Sequence, residues 1–254
     1  MGRLQGRVAI VTGGARGIGR HYCKALAAEG ASVVIADIAD GADLAEEIAA
    51  TGRHNSTMTE MFDVSDEAQV RSLVASVIDR FGRIDILVNN AALFAAVPHQ
   101  KVTDIDAALW DKVFAVNVRG PFLMVKHVAP HMIAQRYGKI VNIGSGVAYK
   151  GLPNMSHYSA SKGAIATLTR TLSRELGEHN ICVNTLAPGL TMSDTLVESG
   201  THSDQVRNAV LNSRALKRDA FPQDLTGALV FLASPESDFM TGQTVAVDGG
   251  SVNT

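Results

Sequence analysis

Residues 8–19 read VAIVTGGARGIG, and this stretch decides the fold. The four apolar residues at its start predict a buried strand, and a glycine-rich turn separates them from a helical pattern. Glycines let the backbone turn tightly and approach a phosphate, while the N-terminus of the following helix attracts negative charge. A strand, a bare turn and a helix in this order predict a dinucleotide-binding loop built on Gly13, Gly17 and Gly19.

The spacing of these glycines distinguishes the loop from other phosphate loops. It is Gly-x-x-x-Gly-x-Gly, whereas the commoner dinucleotide pattern is Gly-x-Gly-x-x-Gly. The separation of Gly14 and Gly19 suits an ATP-type loop, but Arg20 and His21 replace the Lys and Ser/Thr that such a loop requires. Kinase and ATPase chemistry are therefore disfavoured, and a purely structural turn is the remaining alternative for this loop alone.

The composition describes an ordinary globular chain. It has 254 residues, 46% of them hydrophobic, and a formal net charge of -2, which offers no attraction for nucleic acid or anionic membranes. No run approaches the roughly 20 apolar residues of a membrane span, so we expect a cytoplasmic protein without membrane partners. Cys23 and Cys182 match no metal or redox spacing and are expected to be buried thiols.

The rest of the chain repeats the alternation of apolar strand and amphipathic helix. Strand-like runs occur at residues 8–11, 32–36, 84–88, 139–143, 181–186 and 244–247. Continuous apolar strands are buried on both faces, which predicts an α/β fold with a parallel sheet between two layers of helices. One helical stripe comprises Val70, Leu73, Val74, Val77, Ile78 and Phe81, and a later one comprises Ile165, Leu168, Leu172 and Leu176.

No linker, repeat or low-complexity tract divides the chain, so we predict a single domain over residues 1–254. The least regular segment is residues 190–218, which is polar and precedes the last predicted helix. A segment of this kind inside a compact domain is typical of a substrate-binding loop or lid.

Residues at the carboxyl ends of the strands predict the rest of the dinucleotide site. Asp37 ends the second strand, where a carboxylate accepts the ribose hydroxyls of an adenosine and repels a 2′-phosphate, which favours NAD over NADP. Arg16 in the loop argues mildly for NADP, and a strand-end turn is the plain alternative for Asp37. Asp63 with Val64, and Asn90 with Ala91, follow the third and fourth strands and extend this crevice.

Tyr158 and Lys162 lie one helical turn apart at the start of the later helix, with Ser145 upstream. A free tyrosine has a pKa of about 10, and a neighbouring cation favours the phenolate, so this pair predicts a base with a lowered pKa. On spacing alone, the pair fits a solvated helix face better. The glycine loop and Asp37 are what make the catalytic interpretation preferable.

The order of these motifs over the full length resembles the short-chain dehydrogenase/reductase family, in its short single-domain branch. The motifs are Thr12-Gly13-x3-Gly17-Ile18-Gly19, Asn89-Asn90-Ala91, Ser145, Tyr158-x3-Lys162 and Pro188-Gly189. The resemblance implies a Rossmann-type, doubly wound parallel sheet of about seven strands with helices on both faces. It also implies NAD(P)-dependent oxidation of an alcohol or reduction of a ketone, and a homotetramer.

The same resemblance implies the roles of single residues. Tyr158 would be the general acid/base, and Lys162 would hold the nicotinamide ribose and lower the tyrosine pKa. Ser145 would bind the substrate oxygen, and Asn117 would support a water leading to Lys162. Contacts to the nicotinamide end would come from Pro188, Gly189, Thr191 and Ser193, where the family more often has Thr at the last position. The sequence departs from the usual family motifs at two other positions. Ala92 stands where glycine is usual, and Gly144 stands where serine is usual.

We therefore predict an oxidoreductase that transfers a hydride between NAD(H) and a small, partly apolar secondary alcohol or ketone. Val147 and Met155 are predicted to line the substrate pocket with Ser145 and Tyr158. The alternative from another class is a non-catalytic dinucleotide-binding sensor or scaffold, although such a protein would be expected to lack one of the reacting groups.

Two other site types are disfavoured. The sequence Gly144-Ser145-Gly146 does not match the Gly-x-Ser-x-Gly elbow of a hydrolase. His127 and His131 are four residues apart, but Pro130 is predicted to interrupt their helix and no zincin motif is present. We expect no metal site.

Overall fold

In the computed structural model, which describes residues 2–51, 56–200 and 204–252, parallel strands form one sheet. Within these residues the sheet has seven strands in the order β3-β2-β1-β4-β5-β6-β7. Their bounds are β1 (Val8–Thr12), β2 (Ser32–Asp37), β3 (Thr57–Met61), β4 (Ile86–Asn89), β5 (Gly138–Ile143), β6 (Ile181–Pro188) and β7 (Thr244–Val247).

Helices connect the strands and cover the sheet. The α-helices are α1 (Gly17–Ala28), α2 (Ala42–Ala49), α3 (Glu67–Phe81), α4 (Ala107–Phe114), α5 (Gly120–Gln135), α6 (Val147–Lys150), α7 (Ser156–Leu176), α8 (Asp194–Ser199), α9 (Asp204–Ser213) and α10 (Gln223–Ala233). A π-helical segment, Ala115–Arg119, joins α4 to α5. Short 3-10 turns lie at Val102–Asp104, Gly177–His179 and Pro235–Ser237.

The alternation of side chains along each strand produces a core on each face of the sheet. In β1, Val8 and Ile10 face a core that includes residues of α3, α5 and α7. Ala9 and Val11 face the opposite core, which includes residues of α1, α2 and α10. Burial on both faces explains why these strands are continuously apolar, and the predicted doubly wound α/β sheet of the Rossmann type is confirmed.

The strand order reverses beside β1, which pairs with β2 on one side and β4 on the other. Connections leave the carboxyl ends of these strands in opposite directions at such a point, and a crevice opens between them. The glycine loop after β1 and Asn90 after β4 therefore meet at one edge of the sheet.

Some local predictions need correction. α5 continues through Pro130, contrary to the predicted interruption. A proline removes only one backbone donor, and the burial of Val128, Ala129 and Met132 around it holds the helix together. Residues 190–218, predicted as a loop, contain α8 and α9. β4 begins at Ile86 rather than at residue 84.

Candidate active site

A cavity of about 750 Å³ lies at the carboxyl ends of the strands. It is lined by almost all of the predicted site residues, although they come from distant parts of the chain. Those that line it are Gly13, Arg16, Gly17, Ile18, Gly19, Asp37, Asp63, Val64, Asn90, Ala91, Ser145, Val147, Tyr158, Lys162, Pro188, Gly189, Thr191 and Ser193. Asn117 and Met155 are not part of its lining.

The glycine loop is shaped by backbone conformation and close packing. Gly13 and Gly17 have φ of 63° and 58°, which side chains rarely tolerate. A Cβ on Gly19 would lie 1.9 Å from the carbonyl oxygen of Gly13. The Asn90 amide donates to the carbonyl oxygens of Thr12 and Gly13 at 3.0 and 2.9 Å, so the strand-end residue predicted to extend the crevice also braces the loop.

Asp37 ends β2, borders the cavity and is 5% exposed. Its carboxylate accepts hydrogen bonds from the backbone N–H groups of Ala15 at 3.0 Å and Ala39 at 3.1 Å. Arg16 is exposed and also lines the cavity. Asp37 and Arg16, the two residues predicted to bear on the choice of dinucleotide, therefore border the same cavity. The two backbone hydrogen bonds fix the orientation of the Asp37 carboxylate.

Tyr158 and Lys162 lie in the first turns of α7, and both are buried. The Lys162 ammonium donates to the carbonyl oxygen of Ile143 at 2.8 Å and lies 5.7 Å from the centre of the Tyr158 ring. The prediction that this pair begins a long helix is confirmed. The interpretation as a solvated helix face is wrong, because both side chains point into the protein.

The pKa values of this pair are governed by burial. Burial raises the pKa of Tyr158 to about 12, and the hydrogen bond with Ser145 offsets only part of this effect. Burial also lowers the pKa of Lys162 to about 8. Removal from water disfavours the charged form of each group. Burial therefore shifts the Tyr158 pKa in the direction opposite to the predicted lowering.

Asn117 lies behind the cavity wall, in the π-helical segment Ala115–Arg119. Its side-chain oxygen accepts from the Leu93 N–H at 2.7 Å, and its amide donates to the Ser161 hydroxyl at 3.1 Å. The Ser161 hydroxyl in turn donates to the backbone carbonyl of Tyr158 at 2.7 Å. Asn117 thus connects Leu93, in the segment after β4, to the first turns of α7. π-helical segments often occur at functional sites.

The wall beside the phenol is apolar. The Phe94 and Tyr158 rings lie 4.8 Å apart between their centres, and Val147 and Leu152 pack around them. Met155 was predicted to line the pocket, but its side chain is fully buried in the cluster that also contains Val97, Val113 and Tyr158. It supports the phenol from behind and does not border the cavity.

Several cavity residues were missed by the sequence analysis, among them Thr195, Arg214 and Asp248. Asp248 directly follows β7. Residues at the carboxyl ends of parallel strands border the ligand crevice, so the argument that predicted Asp37 applies to Asp248 as well. Thr195 approaches the loop so closely that a Cβ on Gly17 would lie 2.8 Å from its hydroxyl. No local signal identifies Thr195 or Arg214, since their positions depend on the folding of residues 190–218.

The departure at Gly144 has a packing reason. A Cβ at this position would lie 2.5 Å from the Thr185 methyl group on the adjacent strand. Serine there would require the Thr185 side chain to move, so glycine at this position fits the neighbouring threonine.

The other sites considered from the sequence are not supported. His127 lies 3.0 Å from the Glu67 carboxylate, and the described residues contain no cluster of three or more His, Cys, Asp or Glu suited to a metal. Cys23 and Cys182 are buried free thiols, as predicted. In the described part of the chain, every helix is too short or too polar to cross a membrane.

The chain is similar in sequence to known dehydrogenases and reductases. The family model described as enoyl-(acyl carrier protein) reductase matches residues 13–252. Galactitol 2-dehydrogenase from Agrobacterium fabrum is 40% identical, with 98% of each chain covered. The short-chain dehydrogenase/reductase eriH from Hericium erinaceus is 38% identical over 97% of this chain and 98% of its own.

Solved structures show the same likeness. The crystal structure of levodione reductase superposes with a TM-score of 0.91 at 30% sequence identity, covering 97% of each chain. Together with the family model and the relatives, this establishes that the chain belongs to the short-chain dehydrogenase/reductase family.

Proposed function

We propose that the protein is an NAD-dependent oxidoreductase that transfers a hydride between the dinucleotide and a small, partly apolar secondary alcohol or ketone. One observation carries the proposal. Ser145, Tyr158 and Lys162 line the same cavity as Asp37 and the glycine loop, with Tyr158 and Lys162 one helical turn apart in α7. A reacting hydroxyl and a dinucleotide would thus share one enclosed space.

The residues present fit a nicotinamide dinucleotide, a class of cofactor that the family binds. Gly17, Ile18 and Gly19 line the cavity at the N-terminus of α1, where a pyrophosphate would meet backbone N–H groups. Asp37 would accept the ribose hydroxyls, and Asp63, Val64 and Asn90 would border the adenosine. The nicotinamide half would lie against Tyr158, Lys162, Pro188, Gly189, Thr191 and Ser193.

When bound, the dinucleotide supplies the hydride acceptor or donor; the chain supplies proton transfer and orientation. With a pKa of about 12, Tyr158 holds its proton at neutral pH, which is the form that donates to a ketone oxygen during reduction. Alcohol oxidation needs the phenolate, so its rate should rise with pH. The Ser145 hydroxyl is placed to stabilise charge on the substrate oxygen.

The choice of substrate class rests on the cavity wall and on the relatives. Phe94, Val147 and Leu152 present apolar surface next to the phenol, which favours a substrate with an apolar part. Relatives are named as galactitol 2-dehydrogenase, sorbitol dehydrogenase and levodione reductase, which is consistent with a small alcohol or ketone.

The proposal is tested with a panel of secondary alcohols and ketones, assayed with NAD(H) and NADP(H) side by side by the absorbance of the reduced nicotinamide. We expect turnover of at least one compound, with a preference for NAD(H). Dinucleotide binding without turnover across the panel would favour the alternative, a non-catalytic sensor or scaffold.

Tyr158→Phe tests the proton-transfer role. The variant keeps the ring that packs on Phe94 but has no hydroxyl, so NAD binding should stay within a few-fold, while turnover falls by roughly 10²–10⁴-fold. Tyr149→Phe is a matched control, because the Tyr149 hydroxyl binds Thr244 at 2.8 Å and does not border the cavity. Near-normal turnover of Tyr158→Phe would contradict the assigned role.

A further inference from the structure

Arg214 connects the two ends of the segment 190–218, several described residues of which line the cavity. It directly follows α9, and its side chain is buried, with the residue 3% exposed. Its guanidinium donates to the carbonyl oxygen of Leu190 at 2.5 Å and to that of Arg218 at 2.8 Å. Leu190 and Arg218 are the first and last residues of the predicted substrate-binding segment, so one side chain holds both ends.

Backbone contacts surround this connection. Thr191 forms an isolated parallel bridge with Ala220, and the Met192 N–H donates to the Ala220 carbonyl at 2.8 Å. We call Leu190, Thr191, Arg218 and Ala220 the neck of the segment. The neck has little regular structure of its own, so its geometry depends strongly on what holds it.

The stem of Arg214 packs against the turn after β7. A Cβ on Gly249 would lie 3.3 Å from its Cδ, and the Leu216 N–H donates to the Gly249 carbonyl at 2.9 Å. This turn carries the cavity residue Asp248. The Asp248 carboxylate accepts from the N–H groups of Gly250 and Ser251 at 3.0 Å each. Arg214 and Leu216 therefore connect the neck to the turn after β7, at the edge of the sheet.

The buried guanidinium of Arg214 donates its hydrogen bonds to backbone carbonyl oxygens. Among the described residues it forms no ion pair, although its charge still attracts the carboxylates of Asp219 and Asp224, which pair directly with Arg207 and Arg218. Its Nε is buried without a hydrogen-bond partner. Burying a charged group costs free energy unless its contacts compensate. Here the compensating contacts are the two neck carbonyls, which a planar guanidinium can reach together and a lysine ammonium cannot reach with the same fork.

We infer that Arg214 is a positioning residue that fixes the neck before any ligand binds. It thereby places Leu190 and Thr191 in the cavity wall and sets the attachment of α8 and α9. A segment ordered in advance loses less conformational entropy when a ligand binds. The reacting groups Ser145, Tyr158 and Lys162 lie on other elements, so Arg214 acts on binding and leaves the chemical step nearly unchanged. The kinetic consequence rests on the function proposed above.

Three variants separate this role from general stability. Arg214→Met keeps an unbranched stem of similar length and removes the donors, whereas Arg214→Lys keeps the charge without the fork. Arg80→Met is the matched control, because Arg80 is an exposed arginine of α3 that donates to the backbone carbonyl of Thr57 at 2.9 Å, outside the cavity.

Amide hydrogen exchange on the full chain, with and without NADH as the probe, is the primary measurement. In Arg214→Met, the amides of Met192 and Leu216 should exchange about tenfold faster or more, because charge-assisted hydrogen bonds are lost. Amides of β1, β4 and β5 should be unchanged, and NADH should restore part of the protection. Arg214→Lys should behave like Arg214→Met, and Arg80→Met like the wild type.

Kinetics with the best compound of the alcohol panel provide the second measurement. In Arg214→Met, the KM for the alcohol should rise about tenfold while kcat stays within about threefold, because ordering is lost before the chemical step. Unchanged exchange of the Met192 and Leu216 amides, an equal effect in Arg80→Met, wild-type behaviour of Arg214→Lys, or faster exchange throughout the sheet would each overturn the inference.

If Arg214→Met does not fold, Arg214→Lys decides between the same outcomes. If the wild type turns over no compound, the proposed function fails, while neck exchange still decides the role of Arg214.

Discussion

At the scale of single residues, the Asp37 carboxylate is the group that bears most directly on dinucleotide choice. It is fixed by two backbone N–H groups, and its neighbour Ile38 is 60% exposed and carries no charge. A 2′-phosphate placed near this carboxylate would be repelled in a partly desolvated site, where such interactions amount to a few kcal/mol. A held carboxylate cannot turn away to relieve the repulsion.

Asp37→Asn should therefore relax cofactor preference. The amide keeps one acceptor oxygen and removes the charge, so the ratio of kcat/KM for NAD over NADP should fall by roughly 10–100-fold. Steady-state kinetics with both dinucleotides measure this ratio. Asp40→Asn, at an exposed position outside the cavity, is the control and should leave the ratio unchanged. An unchanged ratio in Asp37→Asn would show that another group discriminates.

Lys162 gives stability a pH dependence. Burial lowers its pKa from 10.5 to about 8, so between these values the folded protein binds fewer protons than the unfolded chain. Stability attributable to Lys162 therefore rises with pH across this window. Lys162→Met lacks this contribution, and the free energy of unfolding of the wild type should gain roughly 2 kcal/mol relative to the variant between pH 8 and pH 10.

Urea unfolding of wild type and Lys162→Met at several pH values checks this expectation. Because both proteins contain the buried Tyr158, its titration contributes nearly equally to both free energies of unfolding. The difference between the two proteins therefore reports mainly on Lys162. Two stability curves that run parallel from pH 8 to pH 10 would contradict the assigned burial of the ammonium.

At the scale of elements, the turn from β1 to α1 has the least freedom to change. A Cβ on Gly19 would meet the Gly13 carbonyl at 1.9 Å, and a backbone atom cannot move aside as a side chain can. Gly19→Ala should therefore lower NAD affinity by about tenfold or more and destabilise the fold by roughly 1–3 kcal/mol. Calorimetric titration with NAD and thermal unfolding measure the two effects.

Gly177→Ala is the matched control for this prediction. Gly177 is exposed, has helical backbone angles and has open space around its Cα. Alanine there should leave NAD binding unchanged and be neutral or stabilising by up to about 1 kcal/mol, since glycine costs entropy in a helix. Equal effects of the two substitutions would contradict the steric explanation.

Prediction of the elements succeeded where the pattern was long and local. The stripes of α3 and α7 repeat over several turns, and the structure contains both helices. It failed for α8 and α9, which are short and polar and depend on contacts such as the burial of Leu196. It also failed at Pro130, because packing of the surrounding α5 residues outweighs the loss of one backbone hydrogen bond.

At the scale of the whole molecule, we propose a homotetramer. β7 is the edge strand of the sheet and is only half-buried, and Phe239 before it is fully exposed. Exposed aromatic surface beside a sheet edge is typical of an interface between copies. Residues 241–252 and the outer face of α7 are the proposed contact surfaces.

Light scattering at micromolar concentration should give a mass four times that of the 26.8 kDa chain. Phe239→Asp should lower this mass, because a charge replaces apolar surface at the proposed interface, while a substitution at exposed Val102 should not. A stable monomer in the wild type would refute the proposal.

The amino-acid pattern alone predicts the alternation of strands and helices, the glycine turn, and the positions of Tyr158, Lys162 and Ser145. These are local properties, since side-chain periodicity and the conformational freedom of glycine act over a few residues. The family resemblance then assigned roles to these residues, and the structure brings them to one cavity.

The burial of these side chains and the identity of their neighbours depend on the tertiary structure. It buries Tyr158 deeply enough that its pKa rises, although its neighbour Lys162 predicts the reverse. It removes Met155 from the pocket and brings in Thr195, Arg214 and Asp248. Burial, dielectric environment and contacts between distant residues are set by how the layers pack, and no short stretch of sequence contains that information.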